Sequence, residues 1–256
     1  LGNICGNSQP QTVICMKWGD RYGPEYVNRL WSMIGRNTQR DTRLICFTDD
    51  AAGIDPAVVT EPLPEINIPD RVSRTPWRKL SVWRSDLAAS NLLLSDDILF
   101  IDLDMVIVGS LDEFFDFSPG EFCVIKNWTQ KRKNVGNTSL FRFPAQRFSH
   151  IFEYFDQDPE KVLGEYRIEQ QYISAEIRNR VFWPEAWCLS YKHSIIPRWP
   201  LNFFKPPELP ANARVIAFTG KPDIDEAAQG EWPVTRWYKR LYKFVRPAPW
   251  LLDHWR

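Results

Sequence analysis

Asp102 and Asp104, separated by one residue, close the apolar run Ile98-Leu-Phe-Ile. Read as the end of a strand, in which alternate side chains share a face, that spacing lets both carboxylates reach one ion. Hard cations such as Mg²⁺ and Mn²⁺ prefer oxygen ligands and commonly take one or two carboxylates together with substrate phosphates. Loss of a diphosphate leaving group creates negative charge, which such a cation stabilises as a Lewis acid. The pair therefore points to metal-assisted cleavage of a bond to phosphate. Asp-x-Asp is also common in turns, so its meaning depends on the apolar strand before it and on Val106-Ile-Val-Gly-Ser-Leu-Asp-Glu-Phe-Phe115 after it.

The surrounding sequence supplies a frame for these acids. Thr12-Val-Ile-Cys-Met-Lys17 is a β-branched, apolar run ending at Trp18-Gly19-Asp20, which predicts a buried first strand and a turn. Pro24 suits the first turn of a helix, and Val27, Leu30, Trp31 and Ile34 recur at helical spacing up to Gly35 and Asn37. Arg43-Leu-Ile-Cys-Phe-Thr48 reads as a second strand. A strand, helix and strand of these lengths open a parallel α/β sheet. Residues 49–74, rich in Pro, Asp and Gly, read as a connecting loop. Thr75-Pro76 caps a helix expected to reach Ser90, with Leu80, Trp83, Leu87 and Ala88 on one face. A strand over 98–104 then brings the acids to the carboxyl edge of the sheet, where open α/β folds bind ligands. Further strands are expected at 122–126, 138–143 and 214–218, helices at 145–156 and 169–178, and a terminal helix at 232–245.

Lys+Arg and Asp+Glu number 32 each in the 256 residues, so overall charge makes no case for a nucleic-acid partner. Five cysteines (Cys5, Cys15, Cys46, Cys123, Cys188) lack a C-x-x-C pair and read as buried thiols in a reducing, cytoplasmic compartment. No apolar run approaches the ~18 residues of a membrane span. Leu1 opens no secretory-signal pattern, and the absent Met implies that residues precede it. Trp and Pro crowd the last third, predicting loop packed by aromatics. Within it, Trp237-Tyr-Lys-Arg-Leu-Tyr-Lys-Phe-Val-Arg246 mixes aromatics with four basic residues and no acid. Such a segment can rest on an anionic membrane, at its inner face here, or dock on the protein body through its aromatics.

The block Ile98 to Phe115, ILFIDLDMVIVGSLDEFF, resembles the signature segment of family 8 glycosyltransferases, the group of glycogenin and bacterial lipopolysaccharide galactosyl- and glucosyltransferases. The resemblance extends over most of residues 12–222. It implies one α/β domain of the GT-A (nucleotide-diphospho-sugar transferase) type over 1–222, with a mostly parallel central sheet, and a Pro/Trp-rich C-terminal extension over 223–256. It also implies a UDP-sugar donor, Mn²⁺ or Mg²⁺, and retaining transfer of a hexose to a glycan or lipid-linked saccharide, as in cell-surface polysaccharide biosynthesis. Asp102 and Asp104 match the metal-binding acids, with the backbone of Leu103 against the donor. Met16, Trp18, Gly19 and Tyr22 match the uracil and ribose pocket, with Tyr22 or Trp18 available to stack on the base. Lys79 matches the lysine at the donor diphosphate, with Arg78 or Arg84 as alternatives. Asn137, with Thr138 or Ser139 beside it, matches the strand under the sugar, and Glu169-Gln170 matches the family's Asp-Gln beside the anomeric carbon.

One departure is plain. The family's His-Gly metal ligand is replaced within Ala217-Phe-Thr-Gly-Lys-Pro222, leaving Thr219 or Ala217 in its place. Water, Thr219 or Asp223 would have to substitute, while Gly220 and Lys221 remain suited to the phosphates. Two other classes compete: a silent nucleotide-sugar-binding protein, favoured by the lost His, and a nucleotidyltransferase or nucleotide-sugar hydrolase. The latter would carry a glycine-rich phosphate loop after the first strand, which Trp18-Gly-Asp-Arg-Tyr22 lacks.

Overall fold

The computed structural model describes residues 10–89 and 96–256; Cys5 and the expected helix end at Ser90 lie outside them. The chain begins with β1 (Gln11–Lys17), α1 (Pro24–Asn37), β2 (Thr42–Thr48) and β3 (Val59–Pro62). A 3₁₀ turn over Asp70–Val72 and a longer 3₁₀ segment over Pro76–Trp83 lead into α2 (Ser85–Ala89), then β4 (Asp97–Ile101), β5 (Met105–Ile107) and α3 (Asp112–Asp116). Next come β6 (Cys123–Lys126), β7 (Gly136–Pro144), α4 (Ser149–Gln157), α5 (Pro159–Glu165) and α6 (Glu169–Glu176). The last third holds β8 (Val181–Phe182), β9 (Cys188–Ser190), a π turn (Tyr191–Ile195), β10 (Val215–Ala217), α7 (Ile224–Gln229) and α8 (Trp250–His254).

A seven-stranded, mostly parallel sheet has the order β3-β2-β1-β4-β7-β6-β8. Within it β7 runs antiparallel to its two neighbours, β4 and β6. A second sheet, β5-β10-β9, has three strands. Period-two alternation explains why the central strands are buried throughout. Val13 and Cys15 of β1, with Leu99 and Ile101 of β4, enter the core under α1 and the small sheet. Ile14 and Met16, with Ile98 and Phe100, enter the opposite core with Trp77, Trp83 and Phe155.

Three expectations are corrected. The loop over 49–74 contains β3, a four-residue edge strand pairing with β2 from Ile45↔Val59 to Thr48↔Pro62; partly exposed and closed by proline, it carries no hydrophobic signal. The helix from Pro76 is 3₁₀ up to Trp83, then α-helical from Ser85. Its tighter pitch buries a run of neighbours, Trp77 and Lys79 through Trp83, which an amphipathic α-helix would not. The helix over 232–245 is a 3₁₀ turn at Trp237–Leu241, and Pro247 and Pro249 bar its extension toward the C-terminus.

Nor does the packing break at residue 222. Ile224, Ala227, Val245, Ala248, Leu251 and Trp255 are buried in the same core as Val27 and Leu30. Arg36 of α1 donates to the carbonyls of His254 (2.6 Å) and Arg256 (2.7 Å). Cys15, Cys46, Cys123 and Cys188 are buried free thiols. Among the described residues no helix is long and apolar enough to cross a membrane.

Candidate functional site at the junction of the two sheets

Asp102-Leu103-Asp104 is the turn that carries the chain from β4 in the large sheet to β5 in the small one. The expected single strand over 98–104 therefore ends at Ile101, and strand alternation is not what brings the two acids together. The Asp102 N–H donates to the Ser139 carbonyl in β7 (2.8 Å), while the Asp104 carbonyl accepts from the Phe218 N–H just after β10 (3.0 Å). Each acid is thus held by a different sheet. Leu103 turns into the core between them, 3% exposed.

Both carboxylates line a cavity of about 250 Å³ at the carboxyl ends of β1 and β4. Its walls include Met16, Trp18, Gly19, Tyr22, Lys79 and Leu103, all nominated from the sequence, together with Asp20, Arg21, Arg74 and Pro76, which were not. Gly19 makes the sharp exit from β1 in the left-handed region at φ +63°, and its N–H donates to Asp49 Oδ2 (2.8 Å). The Tyr22 hydroxyl donates to Asp104 Oδ2 (3.1 Å). The Tyr22 ring lies under the Arg21 guanidinium at 5.1 Å and against Tyr26 at 4.8 Å. Of the two rings expected to stack on a base, Tyr22 is thus packed by its own neighbours.

The electrostatics at this corner are strained toward neutrality. Burial pushes the Asp104 carboxyl up to about 7, and the charge of Asp102 adds to the rise. Burial raises Asp102 too, opposed by Lys79, whose Nζ donates to Asp102 Oδ2 at 2.6 Å. Lys79 bonds one of the two carboxylates and the Arg21 charge acts on both, and paired carboxylate oxygens are the donors that a hard divalent cation takes. Among the described residues no third His, Cys, Asp or Glu completes a metal-binding group. Where the family has His, Ala217 is buried in β10 opposite Met105, and the Thr219 carbonyl accepts from Lys192 Nζ (3.1 Å).

Lys79 also ties the acids to the other nominated residues. It is buried, and its Nζ donates to the Thr138 carbonyl (3.3 Å); the Thr138 hydroxyl donates to Glu169 Oε1 (2.9 Å) at the first residue of α6. Burial raises the Glu169 carboxyl, with Lys79 opposing. Gln170 Oε1 accepts from Asn127 Nδ2 (2.9 Å), a partner that the sequence did not suggest. Asn137 is buried, with Oδ1 accepting from the Ser139 N–H (3.0 Å). Gly220, at φ +71°, and Lys221 lie outside the cavity wall. Lys221 Nζ is committed to Asp223 and Glu226 (2.5 Å each) at the start of α7, which works against a phosphate contact there.

Arg21 and Arg74 are cations that no sequence motif had marked. Arg21 sits inside the Trp18 to Tyr22 block already singled out, and its charge acts on both Asp102 and Asp104. Arg74 lies in a stretch that reads as connecting loop, with no local pattern to distinguish it.

No family model and no curated protein matches the sequence. Solved structures do resemble the fold. The galactosyltransferase LgtC, solved with donor and acceptor sugar analogs, matches at TM-score 0.54 and 12% identity over 84% of this chain and 89% of LgtC. The glycosyltransferase GlyE of Streptococcus pneumoniae TIGR4 matches at 0.56 and 10% identity over 85% of this chain and 56% of GlyE. The bifunctional glycosyltransferase WbbM matches at 0.57 and 12% identity over 88% of this chain and 48% of WbbM. The architecture that puts the two acids at a sheet junction is the single-domain GT-A fold, shared with these solved glycosyltransferases.

Proposed function

We propose that the chain is a metal-dependent, retaining hexosyltransferase of the family 8 kind, moving a sugar from a nucleoside diphosphate, UDP by preference, to a glycan or lipid-linked saccharide. One observation carries the reading: Asp102, Asp104, Tyr22 and Lys79 meet in one cavity at the carboxyl edge of the sheet. Asp102 and Asp104 would hold the divalent cation, which when bound supplies charge neutralisation for a departing diphosphate.

The chain's own residues divide the remaining work. Trp18 is the ring left for the base. Arg21 and Arg74 supply guanidinium donors suited to phosphate oxygens, since Lys79 is occupied by Asp102 and Lys221 by two carboxylates. Lys79 then acts as the link that holds Asp102 in line with Thr138 and Glu169. Glu169, with the amides of Gln170 and Asn137, offers negative charge and dipoles to an oxocarbenium-like transition state. The acceptor hydroxyl would attack on the leaving-group face, with the departing phosphate taking its proton.

A second reading, a nucleotide-sugar-binding protein without turnover, is favoured by the Lys79 ammonium already seated on Asp102 and by Thr219 in place of His. Calorimetric titration with UDP, with and without Mn²⁺, followed by a turnover assay over a panel of nucleotide sugars, separates the two. Mn²⁺-dependent UDP binding with turnover supports the enzyme. Binding without turnover on any donor leaves the silent protein, and no UDP binding defeats both.

A further inference from the structure

A second cavity of about 250 Å³ opens between the end of β6 and β9, and it shares no wall residue with the carboxylate cavity. Ile125, Pro184, Leu189 and the partly exposed Trp128 give it an apolar side, and Lys126 and Lys131 a charged one. The Trp128 Nε1–H donates to the Cys188 carbonyl in β9 (3.2 Å), which pins the indole across the gap between the two sheets. Asn127, itself buried, builds the loop that follows. Its Oδ1 accepts from the N–H groups of Thr129 (2.9 Å) and Gln130 (3.0 Å), and its own N–H donates to the Val135 carbonyl (3.0 Å). The wall of this cavity is therefore fixed before any ligand arrives.

Charge and shape decide what it takes. The Asn127 loop carries Lys131-Arg132-Lys133, and no acid lies between Glu121 and Glu153, although the whole chain is neutral. None of these three cations forms an ion pair among the described residues. The acid in the wall is Glu185, and it is paired with Lys126 at 3.2 Å. Unpaired cations beside a cavity attract an anion, but a bare phosphate would gain nothing from an indole. A sugar ring does gain, because its C–H face packs on an aromatic surface while its hydroxyls meet polar groups, here His193 and Ser194. We propose that this cavity binds a sugar unit bearing an anionic group, phosphate or carboxylate, with Trp128 against the ring and Lys131, Arg132 and Lys133 around the charge.

Position gives that sugar a role. Asn127 Nδ2 donates to Gln170 Oε1 (2.9 Å), and Gln170 follows Glu169, which Thr138 and Lys79 link to Asp102. One side chain thus shapes the basic loop and reaches the residue nominated beside the anomeric carbon. The bound sugar belongs on the acceptor's side of the transfer, which makes the acceptor an acidic glycan rather than a neutral one. That role rests on the transferase reading; binding in the cavity does not.

The test is calorimetric titration of the full chain with methyl glycosides, in the gluco and galacto series, that differ only in the exocyclic group: hydroxymethyl, its phosphate ester, or carboxylate. A charged glycoside should bind about tenfold tighter than the neutral one, and the gap should close in about 0.5 M NaCl. Whichever charged form binds tighter names the anion. Lys131→Glu with Lys133→Glu, both exposed and unpaired, should abolish the preference, while the melting temperature and the Mn²⁺-dependent UDP titration keep their wild-type values. Trp128→Ala should weaken every glycoside about three- to tenfold. Equal affinity for neutral and charged glycosides, a preference that survives the double charge reversal, or inorganic phosphate binding as tightly as the sugar phosphate would overturn the proposal. Charge-selective binding in a chain that takes no UDP would uphold the cavity's ligand and defeat the transferase; UDP-sugar turnover without glycoside binding would do the reverse.

Discussion

The carboxylate corner and the last third of the chain are held together by different means. At the corner, buried strands of two sheets fix the backbone, and side chains only finish the work: Asp102 answers to β7 and Asp104 to β10. In the last third, short elements are tied by side chains reaching carbonyls, as with Asn202 on Phe244, Arg36 on Arg256 and Trp250 on Pro207. Regular backbone pairing tolerates surface change, whereas a single side-chain tie can release a whole segment. Loss of a metal-binding carboxylate at the corner should therefore cost function without unfolding, and order should fail in the last third without loss of the large sheet.

The sharpest way to break this contrast is Asp104→Asn. Transfer should fall by about 10²–10³-fold or more, with circular dichroism and melting cooperativity unchanged. Lys79→Ala comes next, because it strands a largely buried Asp102 carboxylate; a loss of about 3–5 kcal/mol in denaturant unfolding is expected, whereas the half-exposed Lys221→Ala should cost no more than about 1 kcal/mol. Asn202→Leu should cost about 1–3 kcal/mol, and limited proteolysis should cut within 236–246 before any cut in β1 or β4.

The smallest effect concerns pH. The folded Asp104 carboxyl, at about 7, lies above its unfolded value, so the folded chain keeps a proton that the unfolded chain gives up. That contribution to stability is complete below about pH 4 and is lost as pH rises to about 7. In the absence of a divalent cation, Asp104→Asn should thus raise the melting temperature at pH 8 by about 2–4 °C and leave it unchanged near pH 4. A lower melting temperature at pH 8 would mean that the ionised carboxylate is not the burden that its burial implies.

The same contrast explains what could be read from residues alone. β1, β2, β4 and α1 announce themselves because apolar runs and 3.6-residue spacing are local signals of burial on both faces or on one. β3 escapes, since Val59-Thr-Glu-Pro62 is held by an edge ladder rather than by a buried face. At the site, Asp102, Asp104, Tyr22 and Lys79 are legible through residue type and block order. The turn that unites the acids is not, because it depends on β10, more than a hundred residues downstream. Arg21, Arg74, Asn127 and Lys192 gain their positions only from tertiary contact, and Lys221 loses its expected one to Asp223 and Glu226.

Three residues, Asp102-Leu103-Asp104, form the stitch between β4 and β5, and they leave no slack. Whatever grips the two carboxylates pulls on both layers at once, so an occupant should stiffen the molecule well beyond its own walls. By the same tether, a disturbance in the small sheet, as far off as β9, can shift the spacing of the acids without touching the cavity. The bottom of the binding cleft is in this sense a clasp between the two sheets.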